Sequence, residues 1–229
     1  MSSNPDVSPV NPLPPVIVAL AGAMFLIELA FNLGARGLIG GPQAVGWRIA
    51  MMQEYAPSGL LIDRMIEVGR YPPEILLRFV TYPFLHVNFT HMLFAVVILL
   101  AMGKFVGEVF RWWALLLVFF ASAIVGAVVY GLFVDSRVAL VGAYPGDYGL
   151  IGAFTFLLWV NLAAQGANKY RAFTLIGFLL FIKLVFGLLF GGGQDWIADL
   201  AGFATGFGLS FVVSPGGFSR ALAQVRRRG

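Results

Sequence analysis

The chain alternates long apolar runs with short polar connections, a pattern typical of helices that cross a membrane. Six runs are apolar and nearly free of charge: residues 16–33, 84–105, 112–134, 150–164, 172–190 and 196–213. A helix that crosses a bilayer needs about 20 apolar residues, so the run at 150–164 is the short one. The pattern predicts an all-α polytopic membrane protein, a six-transmembrane-helix bundle with a short central fourth helix.

The composition agrees with a membrane location and excludes several kinds of chemical site. Hydrophobic residues make up 59% of the 229 positions and charged residues 11%, whereas charged residues are about a quarter of a soluble domain. The chain has no cysteine, which excludes disulfides, thiol nucleophiles and cysteine-ligated metals. The net charge of +4 comes from residues spread along the chain, so it indicates membrane topology rather than nucleic-acid binding.

The positions of the basic residues predict the orientation. Lys104, Arg111, Lys169 and Arg171 lie in the connections after the second and fourth spans, and the tail at 214–229 is also basic. The positive-inside rule places these segments, and with them both termini, in the cytoplasm. We expect a multi-pass protein of a bacterial inner (cytoplasmic) membrane. Its domains would be a disordered lead at 1–15, the six-span domain at 16–213 and the tail.

Two connections are unusual. The connection at 34–82 mixes acids and arginines with apolar residues at helical spacing, among them Ile49, Met52, Leu61 and Met65, which predicts short amphipathic helices in the membrane interface. The connection at 138–149 is apolar but broken by glycines and a proline. Because unpaired backbone is tolerated at membrane depth only beside protein or water, this break predicts an internal cavity open to the outside.

The ionisable residues inside or beside the spans are few. His86 and His91 would lie about 140° apart on one continuous helix, so a shared metal would require a break between them, and capping or interhelical hydrogen bonding is the simpler role. Glu28, Lys183 and Asp199 lie inside apolar runs, where an unpaired charge costs at least about 2.5 kcal/mol. With His91 they fall at similar depth and predict one polar cluster, either an ion pair that locks helices or a proton relay or binding site.

Three stretches together resemble the rhomboid family of intramembrane serine proteases. The first, LRFVTYPFLHVNFTHMLFA at 77–95, is similar to the family's WR, FTH and HxxxxH pattern, although Leu77 stands where the family has Trp. The second, GAYPGDYGLIGAF at 142–154, is similar to GASGAIFG, and the third, WIADLAGFATG at 196–206, is similar to AHLGGFLAG. The order and spacing agree with the family over five of the six predicted spans.

The resemblance also implies that the catalytic positions are substituted. Family members cut a transmembrane substrate with a serine in GxSG and a histidine in the last helix, while a histidine and an asparagine of the second helix help to hold the oxyanion. The corresponding residues are Tyr148, Asp199, His91 and Ala95, so His91 alone is retained. A phenol is bulky and needs a base, and a carboxylate is a weak proton acceptor at neutral pH. We therefore expect vestigial positions, His86 included, with Tyr148 beside His91 and Asp199.

The resulting interpretation is a rhomboid-like pseudoprotease that binds or retains transmembrane client proteins without cleaving them. A client would enter beside the fifth span, unless the rings there only face lipid. The expected binding residues are Gly146, Asp147, Tyr148, Gly149, Phe178, Phe181 and Phe186. Two alternatives stay open, an intramembrane hydrolase with substituted catalytic residues and a small accessory subunit of a larger membrane complex. The expected partners are client helices and the lipid bilayer, with no cofactor, metal or nucleic acid.

Overall fold

Helices form nearly all of the regular structure in the part of the chain that the structure describes. A computed structural model describes residues 12–134, 137–190 and 193–215. The α-helices are α1 (Pro15–Ala35), α2 (Trp47–Tyr55), α3 (Gly59–Val68), α4 (Pro73–Thr81), α5 (Phe89–Gly107), α6 (Trp112–Phe133), α7 (Tyr144–Ala164), α8 (Thr174–Phe190) and α9 (Trp196–Val213). Short 3-10 helices span Pro42–Gly46, Tyr82–Phe84 and Lys169–Phe173. Most of the predicted lead and tail lies outside the described residues.

The six predicted spans correspond to six of these helices. Among the described residues, α1, α5, α6, α7 and α9 are long and apolar enough to cross a membrane. Helix α8 has 17 residues, the short end of the range for a span. The all-α polytopic fold is confirmed, and the protein is a multi-pass membrane protein.

The fourth span, α7, is central but not short. It begins at Tyr144 and has 21 residues, so the prediction of a helix that starts near residue 150 is wrong. Pro145 lies in the first turn, where its missing N–H is not needed by the helix and its fixed φ suits the start. The non-helical break is therefore confined to the residues before Tyr144, where Gly142 has a φ of +99°. Most of the first half of α7 is buried between its neighbours.

Glycines allow α7 and α9 to pack backbone against backbone. A Cβ at Gly206 would clash with the carbonyl of Gly149, and a Cβ at Gly202 would clash with the carbonyl of Pro145. Helix α6 approaches in the same way, since a Cβ at Gly126 would lie 2.7 Å from the backbone oxygen of Ala198. Small residues let transmembrane helices approach closely, as expected from the sequence. These contacts fix the start of α9, and with it Asp199, against α6 and α7.

The connection between α1 and α5 is structured, as the sequence indicated. Helices α2, α3 and α4 occupy most of it, and Arg78 of α4 donates a 2.8 Å hydrogen bond to the backbone oxygen of Gln53 in α2. The buried Tyr82 hydroxyl donates to the backbone oxygen of Ala123 in α6 at 2.7 Å. This bond holds the entry to α5 against the middle of α6, next to the break before α7.

Candidate functional site

A buried ion pair joins α8 to α9 at the position where the family motif has a histidine. Lys183 of α8 donates to the Oδ2 of Asp199, whose side chain is only 2% exposed. The same ammonium donates to Asp195 Oδ2 at 2.8 Å, and the Asp195 side chain is 48% exposed. One cation therefore faces two carboxylates, and the pairing expected for Asp199 is confirmed. The Asp199 carboxylate is thus ion-paired with the Lys183 ammonium group.

The two histidines lie together because the chain breaks between them. The Asn88 side chain accepts from the backbone N–H of His91 at 2.8 Å, so Asn88 caps α5 and His86 precedes the helix. The ring centroids of His86 and His91 are 5.4 Å apart. The expectation that both lie on one helix is thus wrong. In the described part of the chain, no three residues of His, Cys, Asp or Glu are grouped so that they could hold a metal ion.

Tyr144 is the aromatic residue that packs on His91. Its ring centroid is 4.9 Å from that of His91, and Lys183 Nζ lies 5.8 Å from the same ring. Gly142 lies on another side of His91, where a Cβ would come within 2.6 Å of the imidazole Cε1. Tyr144 thus lies between the His91 ring and the ammonium group of the α8–α9 ion pair.

Tyr148 lies in an apolar cluster. It is buried and packs with Ile151, Ile176 and Phe203, which belong to α7, α8 and α9 respectively. It also interacts electrostatically with Asp199 and Lys183. The phenol therefore lies near charged groups, among them Asp199 and Asp147, but it packs against aliphatic and aromatic side chains.

Glu28 does not join the Lys183 group. Both of its carboxylate oxygens accept from Arg48, at 2.7 and 2.8 Å, and Asn32 Nδ2 donates to the same carboxylate at 2.8 Å. Arg48 also donates to the backbone oxygen of His86 at 2.5 Å. The single predicted cluster of Glu28, His91, Lys183 and Asp199 is therefore two ion-paired groups, one on each side of the histidines.

The first turn of α7 carries another buried carboxyl group. Asp147 is fully buried, and within the described residues neither of its carboxyl oxygens has a hydrogen-bond partner. It interacts electrostatically with Asp199. Ser122 of α6 is also buried without a partner among the described residues, and its hydroxyl lies against Gly149. Ala95, the position of the family's oxyanion asparagine, is fully buried in the apolar core and offers no donor side chain.

The predicted entry for a client lies on the outer surface of α8. The Phe178 side chain is 59% exposed and the Phe181 side chain is 63% exposed, while the side chain of Phe186 lies outside the described residues. By contrast, Gly146, Asp147, Tyr148 and Gly149 are all buried. The expected binding residues therefore fall into two groups. Phe178 and Phe181 are exposed on α8, whereas residues 146–149 are buried in α7.

Comparison with known proteins decides the family. A family model for the rhomboid domain matches residues 73–216, from the start of α4 to just past α9. The chain belongs to the rhomboid family. This rhomboid is 29% identical to RHOMBOID-like protein 4 of Arabidopsis thaliana over 136 residues. The aligned region covers 59% of this chain and 34% of that protein. All three motif stretches lie within residues 73–216, the region that the family model matches.

Two further relatives carry protease names. The rhomboid described here is 27% identical to Rhomboid-type serine protease 2 of Emericella nidulans over 157 residues, 69% of the chain and 29% of that protein. It is 29% identical to Rhomboid-like protease 1 of Toxoplasma gondii over 148 residues, 63% of the chain and 50% of that protein. The matched region is thus between 29% and 50% of the length of these relatives.

Three residues of the site were missed by sequence reasoning. Arg48 and Asp195 lie in connections, where a charged residue is ordinary, so nothing in the pattern marked them as partners of buried groups. Tyr144 directly precedes a proline and was assigned to the break before α7. A proline two residues into an apolar run is the usual first-turn signal, and it could have placed Tyr144 on the helix.

Proposed function

We propose that this rhomboid binds the transmembrane helix of another membrane protein and does not cleave it. The observation that carries the proposal is the pairing of Asp199 with Lys183 at the position of the family's general base. A carboxylate held by an ammonium group is a poorer proton acceptor than a free one, because protonation would break the ion pair. Tyr148, at the position of the nucleophile, packs among apolar side chains.

Loss of nucleophile and base together removes the unit on which acyl transfer depends. In serine proteases the members of this unit contribute jointly, so neither alone retains much of the rate. The oxyanion position at Ala95 is apolar as well. Three of the four family positions, Tyr148, Asp199 and Ala95, therefore lack the groups that perform the family's reaction.

The parts of the fold that would receive a client are present. Helix α8 turns Phe178 and Phe181 outward, and it is joined to α9 by Lys183 and by the apolar contact of Ile176 with the Tyr148 cluster. Exposed aromatic rings on a transmembrane helix offer a large surface to another apolar helix. A client helix would lie along α8 and, on displacement of α8, beside Tyr148.

A photo-crosslinking experiment in native membranes tests the proposal. A photoreactive amino acid at Phe178 or Phe181 should capture a defined membrane protein, while one at Phe133, which is 73% exposed on α6, should capture lipid. Equal capture at all three positions would refute a client site on α8. Capture at fixed stoichiometry, with the same partner co-purifying in mild detergent, would instead favour the accessory-subunit alternative.

Hydrolysis with substituted residues is the second candidate, favoured by the protease names of two relatives. It would require Tyr148 or Ser122, whose hydroxyl has no partner among the described residues, to act as the nucleophile. Covalent labelling of the purified protein by a fluorophosphonate probe, lost on Tyr148→Phe or Ser122→Ala, would establish it and would overturn the binding proposal. We expect no labelling.

The orientation is part of the same proposal. Cytoplasmic termini would place the start of α9, with the exposed Asp195, on the outer side of the membrane. A bacterial inner membrane remains a prediction from the sequence, and the three relatives come from eukaryotes. Accessibility of a single cysteine introduced at Asp195 to an impermeant thiol reagent tests the orientation, since the native chain contains no cysteine.

A further inference from the structure

A second feature of the fold lies where α1 meets the start of α5. A cavity of about 360 Å³ is present there, and Phe25 and Leu29 in its wall are exposed. Its walls come from one stripe of α1 and one residue of α5. The lining residues are Phe25, Leu29, Asn32, Leu33, Arg36 and Phe89.

The length of this groove matches one leaflet of a bilayer. Phe25 and Arg36 are eleven residues apart on α1, which is about 16 Å along the helix axis. The hydrocarbon core of a bilayer is about 30 Å thick, so half of it is about 15 Å. The apolar part of the groove therefore has the extent of one acyl chain lying along α1.

The end of the groove at the membrane surface is positively charged. Arg36 follows the last residue of α1 and is exposed. None of the three ion pairs found in the described residues involves Arg36, so its guanidinium is available to a ligand. A guanidinium binds a phosphate in a planar, two-pronged geometry.

Asn32 adds a restriction on the ligand. Both hydrogens of its side-chain amide are used, because Nδ2 donates to the backbone oxygen and to Oε1 of Glu28, each at 2.8 Å. The atom of this side chain left for a ligand is therefore Oδ1, which is an acceptor. A ligand held by both residues needs a phosphate for Arg36 and a hydrogen-bond donor for Asn32.

We propose that this groove is a phospholipid site. One phospholipid of the leaflet at the C-terminal end of α1 lies with its phosphate on Arg36 and an acyl chain along Phe25, Leu29 and Leu33. Its headgroup donates a hydrogen bond to Asn32 Oδ1. Phosphatidylethanolamine has an ammonium donor and phosphatidylglycerol has hydroxyl donors, whereas phosphatidylcholine has neither. The site therefore selects the first two headgroups over the third.

Native mass spectrometry of the full chain, titrated in detergent with each of the three lipids, tests the proposal. We expect one phosphatidylethanolamine or phosphatidylglycerol molecule to be held about tenfold more tightly than phosphatidylcholine, the difference made by one good hydrogen bond. Arg36→Gln should weaken binding of the two preferred lipids roughly tenfold, since a charge-assisted bond is lost. Leu29→Trp, which fills the groove, should abolish the tight site while leaving Arg36 in place.

Arg111→Gln is the matched control, because Arg111 precedes α6 at the other membrane face and its loss lowers the net charge by the same amount. We expect this variant to bind lipid as the native protein does. Equal retention of phosphatidylcholine, or native binding in Arg36→Gln, would overturn the proposal. The headgroup comparison uses the native protein alone, so it decides the question even if a variant fails to fold.

Discussion

Removal of the Lys183 ammonium should destabilise the protein strongly, because it leaves a carboxylate buried without a partner. Lys183→Met keeps the length and apolar stem of the side chain and removes the charge. Asp199 is 2% exposed, and Lys183 is its ion-pair partner among the described residues. Helix α8 would also lose its polar connection to α9.

The magnitude follows from the different exposure of the two carboxylates, since Asp199 is buried and Asp195 is not. Breaking a buried ion pair by removing one partner costs about 3 to 5 kcal/mol. The Asp195 contact adds little, since its side chain is 48% exposed and exposed pairs contribute about 0 to 1 kcal/mol. We expect Lys183→Met to lower the free energy of unfolding by about 3 kcal/mol. For a chain of this size, that corresponds to a fall in Tm of roughly 6 to 12 °C.

Thermal unfolding in mild detergent, followed by intrinsic fluorescence, measures the effect. The control is Asp195→Asn, which should lower Tm by no more than a few degrees. The double variant Lys183→Met with Asp199→Leu should recover most of the loss, because apolar residues can replace a buried ion pair at little cost. A single variant as stable as the native protein, or a double variant no better than the single, would show that the Lys183–Asp199 pair does not stabilise the fold.

Three further predictions concern other parts of the fold. Burial, together with the charge of His91, lowers the pKa of His86 to about 3, so protonation favours unfolding. Stability should fall as the pH drops below about 6.5, by about 2 kcal/mol at pH 5, and less so in His86→Leu, as measured by Tm at each pH. Gly206→Ala should cost about 1 to 3 kcal/mol, whereas Gly208→Ala, at a position with open space, should cost nothing measurable by the same melts. Finally, Tyr148→Ser with Asp199→His should give slow cleavage of a model transmembrane substrate, and neither change alone should do so.

The spans could be predicted because apolarity over about 20 residues is a local property. The boundaries were less predictable where capping and proline decide them. Asn88 ends the extended segment before α5, and Pro145 begins α7 earlier than the apolar run suggests. Both signals are present in the sequence, but glycines and a tyrosine around Pro145 resemble a loop when their packing against α9 is not known.

The polar site was predicted in part. Depth along the helices placed Lys183 and Asp199 together correctly, because both lie inside spans and few partners are possible. The depth of Glu28 in the membrane is similar to theirs, so depth alone could not show that Glu28 belongs to a different ion pair. Its partner Arg48 lies in a connection, and only tertiary packing brings that connection against α1. Residues on the membrane surface, such as Arg36, carry no pattern that distinguishes a ligand site from a solvated charge.

We propose that a client helix is bound beside α8 and is not cut. A photo-crosslinker at Phe181 in native membranes, followed by intact mass measurement of the captured partner, tests binding and cleavage together. We expect an adduct with one membrane protein of full, uncleaved mass, and we expect no such adduct when the crosslinker is placed at Phe133. A captured fragment cut within its transmembrane segment, or lipid as the sole adduct at Phe181, would contradict it.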